Sequence, residues 1–137
     1  MSNDHTRTDL ETIANKWIAA FNREDLSPEN KVENLLRLYD DNPVHYSPRL
    51  VKDDNPEGKI QGKDKLREWW LTTFKEKPNL RYQKVDFYYS KEDESMVIMR
   101  YIRKLPGEPD IDITESLKIV NRLIVESRVY IGNPLFK

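Results

Sequence analysis

The chain contains no cysteine, so disulfides, thiolate nucleophiles and cysteine-ligated zinc are excluded. Of its two histidines, His5 lies in a polar N-terminal stretch and only His45 sits in a structured pattern, which rules out a multi-histidine metal centre. No carboxylate cluster shows ligand spacing, and neither a metal nor a cofactor is expected. Glycine is scarce, at four residues, and no phosphate-cradling loop, Gly-x-Ser-x-Gly turn or His-Glu-x-x-His pair occurs. An excess of one charge is also missing: 23 Lys and Arg against 24 Asp and Glu leave a net charge of -1. The basic field that nucleic acid or anionic lipid would require is lacking, so neither is expected as a partner. No apolar run is long enough to span a bilayer, and the N-terminal residues lack the apolar core of a signal peptide. The expected location is cytoplasmic.

What is present points to one α+β domain. A chain of 137 residues buries roughly two-thirds of its unfolded surface. The core is lean, with 3 Trp, 7 Tyr and 4 Phe carrying much of it. Residues 1–7 are expected as a tail, 8–132 as the domain and 133–137 as a second tail. Thr8-Asp9-Leu10-Glu11 has the form of a capping box, and Leu10, Ile13, Ala14, Trp17, Ile18 and Phe21 follow at helical spacing. Ser27-Pro28-Glu29 starts a second helix with Val32, Leu35, Leu36 and Tyr39 as its buried face, stopped by Pro43. Residues 44–47 form a short strand, and 51–59 a charged loop. Gly62 leads into a third helix that turns Leu66, Trp69, Trp70 and Phe74 inward. Residues 81–90, 95–104, 111–120 and 123–131 are rich in β-branched and aromatic residues with short turn-like spacers, the pattern of an antiparallel meander. The helices are expected on one face of that sheet.

Four local patterns carry a family resemblance: Trp17-x-x-x-Phe21-Asn22, Leu38-Tyr39-Asp40-Asp41, Gly62-Lys63-Asp64, and the last strand from Ile124 to Gly132. In this order they resemble the nuclear transport factor 2-like superfamily, in particular its SnoaL-like branch. The resemblance implies N-terminal helices packed on a strongly bent antiparallel sheet, a cone-shaped α+β barrel of the cystatin-like kind around a small-molecule pocket. Laid on the ketosteroid isomerases of that branch, Ser47 falls where they carry the proton-abstracting carboxylate. Trp17 falls at their oxyanion-holding tyrosine, and Glu115 at their protonated aspartic acid. Arg100, Glu115 and Glu126 resemble in chemistry the water-activating set of limonene epoxide hydrolase.

Strand alternation singles out Glu115 without reference to any family. Ile111, Ile113, Glu115, Leu117 and Ile119 share one face, so Glu115 is a lone carboxyl in an apolar row. Such a group is paired, protonated or functional, because a bare buried carboxylate costs several kcal/mol. Two readings stand: a pocket acid with a raised pKa, or an ion pair with Arg100 or Arg128 on a neighbouring strand. His45, on the first strand with Ser47, is a general-base candidate; its bland alternative is a satisfied hydrogen-bonding residue. Trp17 and Trp70 are the aromatics expected to border a pocket, with Arg100, Glu126 and Tyr130 as further polar contacts.

Three functions fit these residues. The first is a binding protein for an apolar or cyclic small molecule. The second is an enzyme of the isomerase, cyclase or epoxide-hydrolase type, using Glu115 and His45 as catalytic residues. The third is a non-catalytic association module. A homodimer is expected, because Val97, Met99, Tyr101, Val125, Val129 and Ile131 would form an apolar outer surface if the opposite faces line the pocket.

Overall fold

The computed structural model describes residues 6–131; the expected tails over 1–5 and 133–137 lie outside the described residues. Helix α1 (Arg7–Phe21) takes in Arg7, which the sequence placed in the tail. Its N-cap is Thr6, not Thr8: the Thr6 hydroxyl accepts from the Asp9 amide at 3.1 Å and the Asp9 carboxylate accepts from the Thr6 amide at 3.2 Å. Asp9 serves the reciprocal role as well as Glu11 would, and the earlier start adds helical turn at little cost. Helix α2 (Pro28–Leu36) begins as expected, with Ser27 accepting from the Asn30 amide at 3.2 Å.

Helix α2 stops earlier than the apolar spacing suggested. Tyr39, expected on its buried face, instead opens strand β1 (Tyr39–Tyr46), where it is fully buried. Pro43 lies inside that strand and does not end a helix. Its missing N–H is tolerated because the pairing of β1 with the last strand shifts register between Tyr39 and Val44, and no ladder bond is required there. A short strand β2 (Lys59–Gln61) returns along β1, and helix α3 (Lys63–Glu76) follows from Gly62. Strands β3 (Arg81–Tyr89), β4 (Met96–Lys104), β5 (Ile111–Val120) and β6 (Leu123–Ile131) complete the chain.

The six strands form one sheet in the order β2-β1-β6-β5-β4-β3. The meander β3 to β6 is antiparallel throughout, and its β5–β6 link is the two-residue turn Asn121-Arg122 with both residues at positive φ. Only β1 and β6 run parallel, so the sheet is mixed. The path through β2, α3 and the meander brings β6 back beside β1 in the same direction. Extra residues at Val85 in β3 and Val125 in β6 interrupt the ladders and help curl the sheet, which is not closed. Helices α1 and α3 pack on the concave side, where the hydrophobic core lies.

Cross-strand register decides what points into that core. Glu115 pairs with Met99 on β4 and Val129 on β6, so Val97, Met99, Tyr101 and Arg103 share its face, and all four are buried. This reverses the β4 face expected outside: Val97, Met99 and Tyr101 face inward, while the outer row of β4 carries Met96, Ile98, Arg100 and Ile102, and those of β5 and β6 carry Asp112, Ser116, Lys118 and Arg128. Of the residues that motivated the dimer, Ile131 alone is strongly exposed, at 43%.

Candidate functional site

A cavity of about 280 Å³ opens between α1, α3 and the concave face of the sheet. Five of the residues expected at a site line it: Trp17 from α1, His45 and Ser47 from and just after β1, Trp70 from α3, and Glu115 from β5. The other three do not. Arg100 pairs across the ladder with Thr114, and Thr114 with Tyr130, on the opposite face from Glu115; Glu126 pairs with Lys118 on that same outer face. There Arg100 forms a bidentate ion pair with Asp112 at 2.9 and 3.2 Å, and Arg128 lies 4.0 Å over the Tyr46 ring. Glu115 is therefore paired with neither arginine. Alternation identified the two faces of β4 and β5 correctly, and those of β6 from Glu126 onward, but nothing in a single strand tells which face of its neighbour joins it.

Glu115 is 1% exposed. Its Oε1 accepts from the Tyr101 hydroxyl at 2.8 Å, and its Oε2 has no partner among the described residues. Burial pushes its pKa up to about 8, against a smaller downward pull from the Tyr101 hydrogen bond. At neutral pH the group is mostly protonated. With Oε1 occupied by a donor, the proton belongs on Oε2, making it a buried hydrogen-bond donor at the cavity.

His45 is held by a second chain of polar groups. The Trp17 indole N–H donates to the Tyr39 hydroxyl at 2.8 Å; Tyr39 is in turn a hydrogen-bond partner of Ser127, and the Ser127 Oγ lies 2.6 Å from His45 Nδ1. The direction of the chain follows from its first member, since an indole only donates. Tyr39, having accepted, donates to Ser127. Ser127 is fully buried, and the assignment that leaves neither hydroxyl proton without an acceptor has Tyr39 donating to Ser127 and Ser127 donating to Nδ1. A neutral imidazole that accepts at Nδ1 carries its hydrogen on Nε2, and that N–H is left for the cavity. Burial lowers the His45 pKa to about 4, so the ring is neutral at pH 7. A base of that strength with its acceptor nitrogen occupied does not suit the general-base role expected for it; His45 is a donor here.

The walls are aromatic. Tyr82 stacks on Trp17 and Phe21 with ring centroids 5.7 and 4.5 Å apart, and packs against Tyr101 at 4.5 Å. Trp70 bridges Tyr39 at 5.3 Å and His45 at 5.8 Å. At the outer end stand Arg49, on the 3₁₀ turn Pro48–Leu50 after β1, Lys77 at the C-cap of α3, and Arg103 near the end of β4. Arg103 pairs with Glu108 in the β4–β5 turn at 3.1 Å. The segment carrying Ser47 and Arg49 is held by close backbone packing: the Ser47 amide donates to the Gly58 carbonyl at 2.9 Å, and a Cβ on Gly58 (φ 64°) would lie 2.3 Å from the Ser47 carbonyl oxygen. No group of His, Asp and Glu among the described residues is arranged to hold a metal ion, and no helix among them is long and apolar enough to cross a membrane.

Comparison with solved structures decides the fold. A SnoaL-like protein of unknown function from Burkholderia thailandensis superposes with a TM-score of 0.77 at 19% identity, over 94% of this chain and 99% of that one. The fold is SnoaL-like. A candidate isomerase of the SnoaL-like family from Agrobacterium tumefaciens gives a TM-score of 0.70 at 16% identity, over 92% and 99% of the two chains. A cystatin-fold protein from Novosphingobium aromaticivorans gives 0.67 at 18%, over 89% and 97%. No protein-family model and no curated protein matches the sequence. At these identities the likeness establishes the fold and carries no activity with it.

Reading the sequence alone missed Arg49, Lys77, Tyr82, Tyr101 and Arg103. Tyr101 and Arg103 were legible in principle, because they alternate with Met99, the residue opposite Glu115. Arg49 and Lys77 sit at element ends, where no periodicity marks direction.

Proposed function

We propose that this SnoaL-like protein binds a small cyclic, largely apolar molecule in the aromatic-walled cavity, with protonated Glu115 as its deepest hydrogen-bond donor. One observation carries the reading: a buried carboxyl oxygen without a partner borders a cavity large enough for a bicyclic molecule. Unsatisfied buried polar atoms are rare in folded proteins, and a ligand acceptor would satisfy this one. A thermal-shift screen of cyclic ketones, phenols and acids tests it. Hits should raise the Tm of the native chain and leave unchanged a variant in which Val129→Trp fills the cavity. A screen without hits, or hits indifferent to the filled cavity, would overturn the reading.

A second reading, acid catalysis, draws on the pKa of about 8 at Glu115. A carboxyl that keeps its proton at pH 7 can deliver it to a developing oxyanion. Glu115→Gln separates the two: the amide still donates a hydrogen bond but has no proton to give, so binding survives in both cases and turnover ceases only in an enzyme.

A further inference from the structure

The ionisable side chains that distinguish the two ends of the cavity are hydrogen-bond donors or cations. On the floor, Glu115 offers its Oε2 proton and His45 its Nε2–H. At the mouth stand Arg49, which is exposed, and Lys77, which is half-exposed. Neither forms an ion pair with the described residues, and Arg103, buried beside them, has only Glu108. Arg49 and Arg103 both line the same cavity as Tyr82, and their charges act on its hydroxyl. Three cations line the cavity against a single carboxyl, Glu115, which is mostly neutral at pH 7. The chain as a whole carries a net charge of -1, so the cavity is locally of the opposite sign. Such a mouth attracts anions and repels the cationic ligands that aromatic walls alone would favour.

We infer that the ligand is a cyclic acid, with a carboxylate held at the mouth by Arg49 and Lys77 and a neutral acceptor, carbonyl or hydroxyl, received on the floor by Glu115 and His45. The inference rests on the cavity being a binding site and adds the charge and polarity of what enters it. Two ends with different chemistry also fix the ligand's direction. An exposed anion meets exposed cations, where desolvation is modest. An uncharged oxygen meets buried neutral donors, where a charged group would pay far more to enter.

Isothermal titration calorimetry with 6-hydroxy-2-naphthoate and its primary amide tests this. The two probes share a ring system and a hydroxyl and differ in charge. The acid should bind about tenfold more tightly than the amide at low salt, an advantage that shrinks as ionic strength rises. In the double variant Arg49→Gln with Lys77→Gln, the preference should fall to about threefold or less while the amide keeps its affinity. Both substitutions are at positions exposed or half-exposed to solvent, so the fold is retained. Equal binding of acid and amide to the native chain would overturn the charge assignment and leave the cavity reading intact. A preference that persists in the double variant would overturn the roles of Arg49 and Lys77. Failure of both probes to bind the native chain would overturn the cavity reading and this inference with it.

Discussion

Replacing Glu115 by Gln should stabilise the protein at neutral pH. The carboxyl has an ordinary pKa of 4.5 and is pushed up to about 8 by burial, a preference for the neutral form of about 5 kcal/mol. Below pH 4.5 it is protonated in both the folded and the unfolded chain, and folding is not penalised. Between pH 4.5 and 8 only the folded chain holds the proton, so stability falls by about 1.4 kcal/mol per pH unit. By pH 7 the loss is about 3 kcal/mol, and above pH 8 it is complete. The amide carries no such penalty at any pH. Its less favourable fit to the Tyr101 hydroxyl costs about 1 kcal/mol, leaving a net gain of about 2 kcal/mol at pH 7 that vanishes near pH 5. Urea denaturation of both proteins from pH 4.5 to 8.5 reads this as a difference curve. His45 titrates in the opposite sense, but equally in both proteins, and drops out of the difference. A variant destabilised by about 3–5 kcal/mol at pH 7 would mean that Glu115 is ionised and paired with a cation, and the reasoning would fail. A difference independent of pH would mean that folding does not shift its pKa.

Further outcomes follow from the same geometry. The His45 pKa is depressed from 6.5 to about 4, so its contribution is full above pH 6.5 and is lost as the pH falls towards 4. His45→Gln should abolish this acid limb, about 3 kcal/mol in all, and wild-type and variant stability curves running parallel from pH 4 to 7 would contradict it. Trp17→Phe removes the indole N–H that donates to the Tyr39 hydroxyl and should cost about 1–2 kcal/mol by urea melts; no loss would place that bond outside the folding energy. Arg100→Ala, on the outer face and paired with a partly exposed Asp112, should cost no more than about 1 kcal/mol and leave probe affinity unchanged; a tenfold loss of affinity would return Arg100 to the site. Gly58→Ala places a Cβ against the Ser47 carbonyl at a positive φ and should cost about 2–3 kcal/mol; a neutral effect in thermal melts would show that the turn relaxes freely.

The elements were largely legible because their signals are local. Ser27-Pro28 caps α2, Asn121-Arg122 turns β5 into β6, and β-branched residues mark the meander. Glu115 was legible for the same reason, since a lone carboxyl in an apolar row needs no knowledge of the fold. What failed depends on register. The β4–β5 turn sets Arg103 opposite Ile111 and so brings Tyr101, not Arg100, to the side of Glu115. The bulge at Val125 lets Ile124 and Ser127 both point inward, breaking a period of two. Tyr39 fits a helical spacing from Leu35 equally well, and only tertiary pairing with Ile124 assigns it to a strand. The cations at the mouth belong to a turn and a helix end, where direction is set by the path of the backbone alone.

A crystal structure of the protein grown with 6-hydroxy-2-naphthoate tests the central claim most directly. The account predicts the ring system between Tyr82 and Trp70, its hydroxyl about 3 Å from Glu115 Oε2, and its carboxylate toward Arg49 and Lys77. A cavity closed by side-chain movement, or a ligand seated only on the outer face of the sheet, would contradict it.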